Sequence, residues 1–219
     1  MPHVLSLNVG SRAGCDQAEV GHTGIGKRPV TTPVEVRAPG PAGVGGSGLV
    51  GDHISDLRHH GGDHRAVYAY AREDLDGWAA ELGRDLPPGL FGENLTTVGV
   101  DVSGARIGER WRVGDLVVQV TSPRIPCRTF AAVIGERGWV KAFTRRAAPG
   151  AYLRVVEPAT IAAGDEVVVV HRPGHGVTVR TAFQALTLRP ELLPDLLAAG
   201  DDLPEELRRR VGRRLPDPA

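Results

Sequence analysis

Residues 106–127 read RIGERWRVGDLVVQVTSPRIPC, and this stretch decides the fold class. Two β-prone runs, 106–113 and 115–122, meet at Gly114-Asp115, a pair suited to a tight turn. The same turn–strand rhythm continues outward. YLRVVE (152–157) and EVVVVHR (166–172) are further β-branched or alternating runs, and Gly164-Asp165 precedes the second. Upstream, HVLSLNV (3–9) and VTTPVEVR (30–37) read as strands, the latter with Pro33 marking an edge or a bulge. Many short strands with few intervening helices favour a mainly β, α+β chain with an antiparallel barrel over a doubly wound sheet.

Two regions depart from this pattern. AVYAYAREDLDGWAAEL (66–82) starts as a strand and becomes a helix, with Leu75, Trp78, Ala79 and Leu82 at helical spacing and Gly83 as its stop. From 178 to 214 the periodicity predicts three short helices, the last capped by Asp202 with Glu205 three residues on. The expected organisation is a β-barrel domain over 1–175 and a helical segment over 176–219. APGPAGVGGSG (38–48) reads as a flexible, exposed loop.

Lys and Arg number 26, as do Asp and Glu, so no global field draws the chain to nucleic acid or an anionic membrane. The arginine-rich end lacks the aromatics of a nucleic-acid patch and reads as a solvated face. All basic residues but Lys27 and Lys141 are arginine, which makes Lys27 a residue to follow. The N-terminal residues show no signal-peptide pattern, and no apolar run approaches a spanning helix. A cytoplasmic protein with reduced thiols is expected.

Chemistry concentrates in three places. Cys127 sits between Pro123 and Pro126 on one side and Arg128 on the other, with Arg124 close by. Neighbouring guanidinium groups favour a thiolate, and the prolines stiffen the turn. An activated nucleophile, a metal ligand and a small buried side chain all remain open for it. GDHISDLRHHGGDHR (51–65) gathers Asp52, Asp56, Asp63, His53, His59, His60 and His64 without a recognised zinc spacing. Asp52 follows Gly51 and His60 precedes Gly61-Gly62, where backbone can approach a ligand; His53, His59 and His64 read as ordinary polar-loop residues. In FGENLTT (91–97), Asn94 offers a donor and an acceptor beside Glu93. Dinucleotide, Walker, nucleophile-elbow and C-x-x-C motifs are all missing.

Taken in order, GKRPV, GD-x-x-x-D, HGG, A-V-x-x-Y, FGENLT and Q-V-x-x-P-R-x-P-C resemble the MOSC domain family, in its stand-alone bacterial YiiM-like branch. The likeness runs from about residue 3 to 172, and the tail is similar to the branch's three-helix segment. The resemblance implies a barrel-like core and a molybdenum–molybdopterin cofactor with Cys127 as the protein ligand to molybdenum. It implies reduction of N-hydroxylated compounds such as hydroxylaminopurines or amidoximes. Lys27, Arg65, Arg124 and Arg128 are then candidates for a basic pocket around the anionic cofactor, with Glu93 and Asn94 beside it. Asp52, His60 or Glu93 would supply protons. No cysteine cluster for an iron–sulfur centre is present, so electrons are expected from a separate redox partner. The resemblance leaves an oligomer open. Other members of the family handle cofactor sulfur, so a persulfide carrier on Cys127 and a non-catalytic scaffold stand as alternatives.

Overall fold

A computed structural model of the chain describes residues 1–214; the last five residues of the 176–219 helical segment lie outside them. Twelve strands form: β1 (His3–Val9), β2 (Ala13–Gly14), β3 (His22–Thr23), β4 (Arg28–Val30), β5 (Val34–Val36), β6 (Val67–Ala71), β7 (Leu95–Val98), β8 (Arg110–Val113), β9 (Leu116–Pro123), β10 (Ala151–Glu157), β11 (Ala159–Ile161) and β12 (Val167–His171). Five α-helices accompany them: α1 (Arg72–Leu82), α2 (Arg128–Ile134), α3 (Trp139–Arg146), α4 (Val179–Thr187) and α5 (Glu205–Gly212).

The 106–123 stretch behaves as its pattern predicts. In β8, Trp111 and Val113 are buried while Arg110 and Arg112 face out, the alternation of a sheet wet on one side. Val113 pairs with Leu116 across a two-residue loop whose Gly114 has φ 56°, the positive φ that such hairpins demand. β9 is flanked by β8 and β10, and Val118 and Val120 enter the core.

Eight strands form one sheet in the order β12-β8-β9-β10-β6-β7-β1-β4. Every pairing in it is antiparallel except β6–β7, which α1 joins as a crossover. Gly83 ends α1 at φ 63°, its N–H donating to the Ala79 carbonyl. The sheet curls until the amide of Val4 donates to Asp165 O and that of Val167 to Pro2 O, each at 2.9 Å. It does not close into a full barrel, because β12 and β4 remain its edges. The predicted strand over 30–37 is split for a related reason. Thr31-Thr32-Pro33 interrupts it, β4 stays on the edge beside β1, and β5 leaves to pair with β11.

The core has two parts. An aliphatic cluster fills the curled sheet and continues through Val179, Ala182, Leu196, Leu207 and Val211, so the C-terminal helices share it. An aromatic cluster of Trp78, Phe91, Phe130, Trp139 and Phe143 lies under α2 and α3, with Trp78 and Trp139 centroids 4.5 Å apart.

Two expectations are corrected. Asp202 does not cap α5; it ends a 3-10 run over Pro194–Asp202, and Pro204 precedes α5 with no side-chain cap. Pro190 and Pro194 each lack an N–H and Gly200 is non-helical, so 190–202 forms 3-10 turns instead of a regular helix. The loop at 38–48 is also more anchored than its composition suggests. Its tip at 41–44 is exposed, but Gly43 N–H donates to Leu57 O, Gly62 N–H to Gly46 O and Asp63 N–H to Gly40 O, at 2.8–3.1 Å. Gly61, at φ 78°, approaches so closely that a β-carbon there would lie 2.7 Å from the Gly45 carbonyl oxygen.

Candidate functional site

A cavity of about 540 Å³ opens between the segment around 17–27, the loop 53–65, the end of β9 and the start of α5. Lys27, His60, Arg65, Asn94, Arg124, Cys127 and Arg128 all line it. Asp52 and Glu93 are set behind that wall. Six basic side chains line the cavity (Lys27, Arg58, Arg65, Arg124, Arg128 and Arg210) against three carboxylates (Glu19, Asp56 and Glu206). A chain of zero formal charge thus concentrates positive charge in one concavity.

Cys127 is the N-cap residue of α2, half-buried and free of any disulfide. The extended backbone at Cys127 carries the chain out of β9 through Pro123 and Pro126, and Arg128 opens the helix with its side chain exposed. Arg124 is buried. Its guanidinium lies 3.9 Å from the Phe130 ring centroid and 5.2 Å from that of Tyr68, and it donates to the Phe91 carbonyl. No carboxylate stands within ion-pairing distance of it among the described residues. A π-face attracts a cation but does not neutralise it.

Asp52 has a different role. Its side chain is fully buried and pairs with Lys27. Oδ1 also accepts from Gly10 N–H at 2.6 Å, and Oδ2 accepts from Asn94 Nδ2 at 2.8 Å. Burial pushes the Lys27 ammonium down, and Asp52 opposes that shift. Asn94 in turn accepts from Tyr68 N–H at 3.1 Å, so its amide bridges β6, β1 and Asp52 more than it presents a free edge to the cavity. Glu93 is also buried. One oxygen accepts from Gly89 N–H and Thr96 Oγ1; the other has no partner. Burial raises this carboxyl above its usual range and favours its neutral form.

His60 lies on the wall, and its imidazole pKa is lowered to about 4 by burial and by the charges of Arg124 and Arg65. It is therefore neutral at pH 7. Arg65 is held by both carboxylate oxygens of Glu206, at 2.8 Å each, across 141 residues of sequence. His53, His59 and His64, read from the sequence as ordinary polar-loop residues, also line the cavity. His59 bonds Asp56 at 2.9 Å and His53 bonds Ser55 at 3.0 Å. Glu19, Asp56 and His59 approach one another closely enough to hold an ion, but Arg58 sits 3.6 Å from both carboxylates and already occupies the cation's place between them.

Four contributors escaped the sequence reading. Tyr68 and Tyr152 pair in register on β6 and β10 with ring centroids 5.1 Å apart, and burial pushes both phenols up. The alternation VYAYA was the only hint of Tyr68. Glu206 and Arg210 reach the cavity from α5, whose arginine-rich run gave no sign of a pocket wall.

The curled, mostly antiparallel sheet agrees with the comparisons to known proteins. Residues 56–168 match the MOSC domain. YflK of Bacillus subtilis, an uncharacterized protein, is 33% identical over 180 residues, which is 82% of this chain and 78% of YflK. A protein named "Reductase" from Gibberella moniliformis is 30% identical over 174 residues, 75% of this chain but 30% of that protein. The crystal structure of YiiM from Geobacillus stearothermophilus superposes with a TM-score of 0.78 at 24% identity, covering 99% of this chain and 100% of the other. The chain belongs to the MOSC domain family. Within it, the fold and the relatives place the chain beside YiiM.

Proposed function

We propose that the cavity holds a molybdenum–molybdopterin cofactor and that the protein reduces N-hydroxylated compounds of the hydroxylaminopurine or amidoxime type. The observation that carries this reading is Arg124: a buried cation with no carboxylate partner, lining the same cavity as the half-buried Cys127 thiol. A thiolate ligand and a surplus of positive charge suit a metal group that is soft and anionic. When bound, the cofactor would supply two-electron redox chemistry. The net change, R–NHOH + 2e⁻ + 2H⁺ → R–NH₂ + H₂O, needs two protons and an outside source of electrons.

The chain's own residues then have distinct tasks. Cys127 would hold the metal through its sulfur. Arg124 and Arg128 attract and orient anionic groups, Arg65 with Glu206 ties α5 to the far wall, and Lys27 holds the Asp52–Asn94 bridge that shapes the near one. His60, neutral at pH 7, relays protons at a ring nitrogen. Asp52 is sealed behind the wall and serves position, not proton delivery. Tyr68 and Tyr152 exclude water from one side. A reduced Cys127 fits the cytoplasm, with electrons delivered by a separate protein.

Metal analysis of protein made in a molybdopterin-competent host tests this directly. About one molybdenum per chain, lost in Cys127→Ala, is expected. Viologen-driven turnover of a hydroxylaminopurine panel is expected as well, and inactivity of loaded protein on the whole panel would sink the assignment. A cyanide-labile sulfur on Cys127 without molybdenum would replace it with the sulfur-carrier reading.

A further inference from the structure

The α2–α3 hairpin carries a second concentration of charge, which apart from Arg128 lies outside the cavity. Between 128 and 146 stand five basic residues (Arg128, Arg137, Lys141, Arg145, Arg146) and one acid, Glu136, a surplus of four in a chain with no net charge. Arg146 is engaged, lying 4.2 Å over Trp78 and 3.4 Å from Glu81, and Glu136 is taken up by Arg84 at 3.3 Å. Arg128, Arg137, Lys141 and Arg145 are exposed, and none has a carboxylate within 4.0 Å among the described residues.

Two of these cations, Lys141 and Arg145, border an apolar depression, and Glu136 stands on the same rim. Ala131, Trp139, Val140 and Leu188 line it together with Lys141 and Arg145. Val140 and Leu188 are 38% and 43% exposed. The indole N–H of Trp139 is buried and has no hydrogen-bond partner. An apolar centre with a mainly basic rim is the anatomy of a protein-docking patch in which charge steers the encounter. Nucleic acid fits less well. Trp139 is only 2% exposed, so no aromatic face is offered for base stacking, and a phosphate backbone would leave the apolar centre uncovered.

The patch lies next to the thiol. Ala131 is four residues after Cys127 along α2, about 6 Å along a helix axis. Beneath it, Trp139 packs on Phe130 with centroids 5.5 Å apart, and Phe130 carries the Arg124 guanidinium at 3.9 Å. We infer that the α2–α3 hairpin is the docking surface for a small acidic electron-transfer protein that reduces the cavity's redox centre. This inference rests on the reductase reading, which requires an external electron donor.

The test uses the full-length, cofactor-loaded protein and a purified acidic flavodoxin as probe. Calorimetry at low and high salt reads binding, and turnover is driven in parallel by reduced flavodoxin or by reduced methyl viologen. Lys141→Glu/Arg145→Glu is expected to weaken flavodoxin binding about tenfold or more, and raised salt to weaken the wild type similarly. Arg112→Glu, a reversal on exposed β8, should leave binding unchanged. Flavodoxin-driven turnover should fall with affinity in the double variant, while viologen-driven turnover holds. Unchanged binding in the double variant, no measurable flavodoxin binding, or tighter salt-dependent binding of duplex DNA would each overturn the docking surface. Absence of viologen-driven turnover in the wild type would instead overturn the reductase reading, and calorimetry would still decide the surface.

Discussion

Two cations are buried beside the same cavity, and they are stabilised in opposite ways. Lys27 has a full counter-ion in Asp52, which Gly10 and Asn94 complete with hydrogen bonds. Arg124 has aromatic rings and one backbone carbonyl. The charge of Lys27 is cancelled locally, so it works as a fastener between the 10–27 segment, the loop at Asp52 and β7's approach. The charge of Arg124 remains available to whatever enters. Burial alone does not tell a structural cation from a functional one; the presence or absence of a matched carboxylate does.

Asp52→Ala breaks the contrast most severely, because it gives Lys27 the solitary charge of Arg124 without its aromatic bed. We expect a loss of about 3–5 kcal/mol in chemical denaturation, the usual result of stranding one partner of a buried pair. A Lys27→Met/Asp52→Leu double variant should recover most of that loss.

The next effect is one of pH. With a folded pKa of about 4 against 6.5 for an ordinary histidine, His60 takes up its proton first in the unfolded chain. Its contribution to stability is therefore full above pH 6.5 and is lost as pH falls from there toward 4, about 3 kcal/mol in all. Thermal unfolding at pH 7 and pH 4.5 should show this loss in the wild type and a smaller one in His60→Asn. Arg124→Met sharpens the point, since NMR titration of His60 should then move up toward 6.5.

Arg124→Met should cost stability less, about 1–2 kcal/mol for the lost carbonyl bond and ring contacts. Its larger signature should be weaker retention of anionic ligands by the cavity. The smallest effect is expected for Glu93→Gln. Burial already favours the neutral carboxyl, and one of its oxygens bonds nothing, so denaturation should shift by less than about 1 kcal/mol.

The strands were legible because alternation and Gly-Asp turns are local signals; β8 and β12 fall within the predicted runs, and β9 and β10 overrun theirs by one residue each. The two helices after Cys127 were not. α2 and α3 are seven and eight residues long and lack side-chain caps, so their stability comes from aromatic packing that only the tertiary fold assembles. The open sheet was equally hidden, since the departure of β5 toward β11 depends on a partner more than a hundred residues away. In the cavity, motif residues such as Cys127, His60 and Arg124 could be named in advance. Glu206, Arg210 and Tyr152 could not, because nothing near them in sequence marks the wall they complete. The sequence also could not distinguish Asp52, a sealed partner, from His60, a residue of the wall.

The Arg65–Glu206 bridge has a consequence for the order in which the protein is made. The cavity draws its walls from residues as early as Gln17 and as late as Arg210. A growing chain can pair most of its sheet while α5 is still unsynthesised, but the far wall arrives only with α5. Any ligand that needs the whole enclosure must therefore wait until α5 has been made, which separates the time at which the sheet pairs from the time of loading.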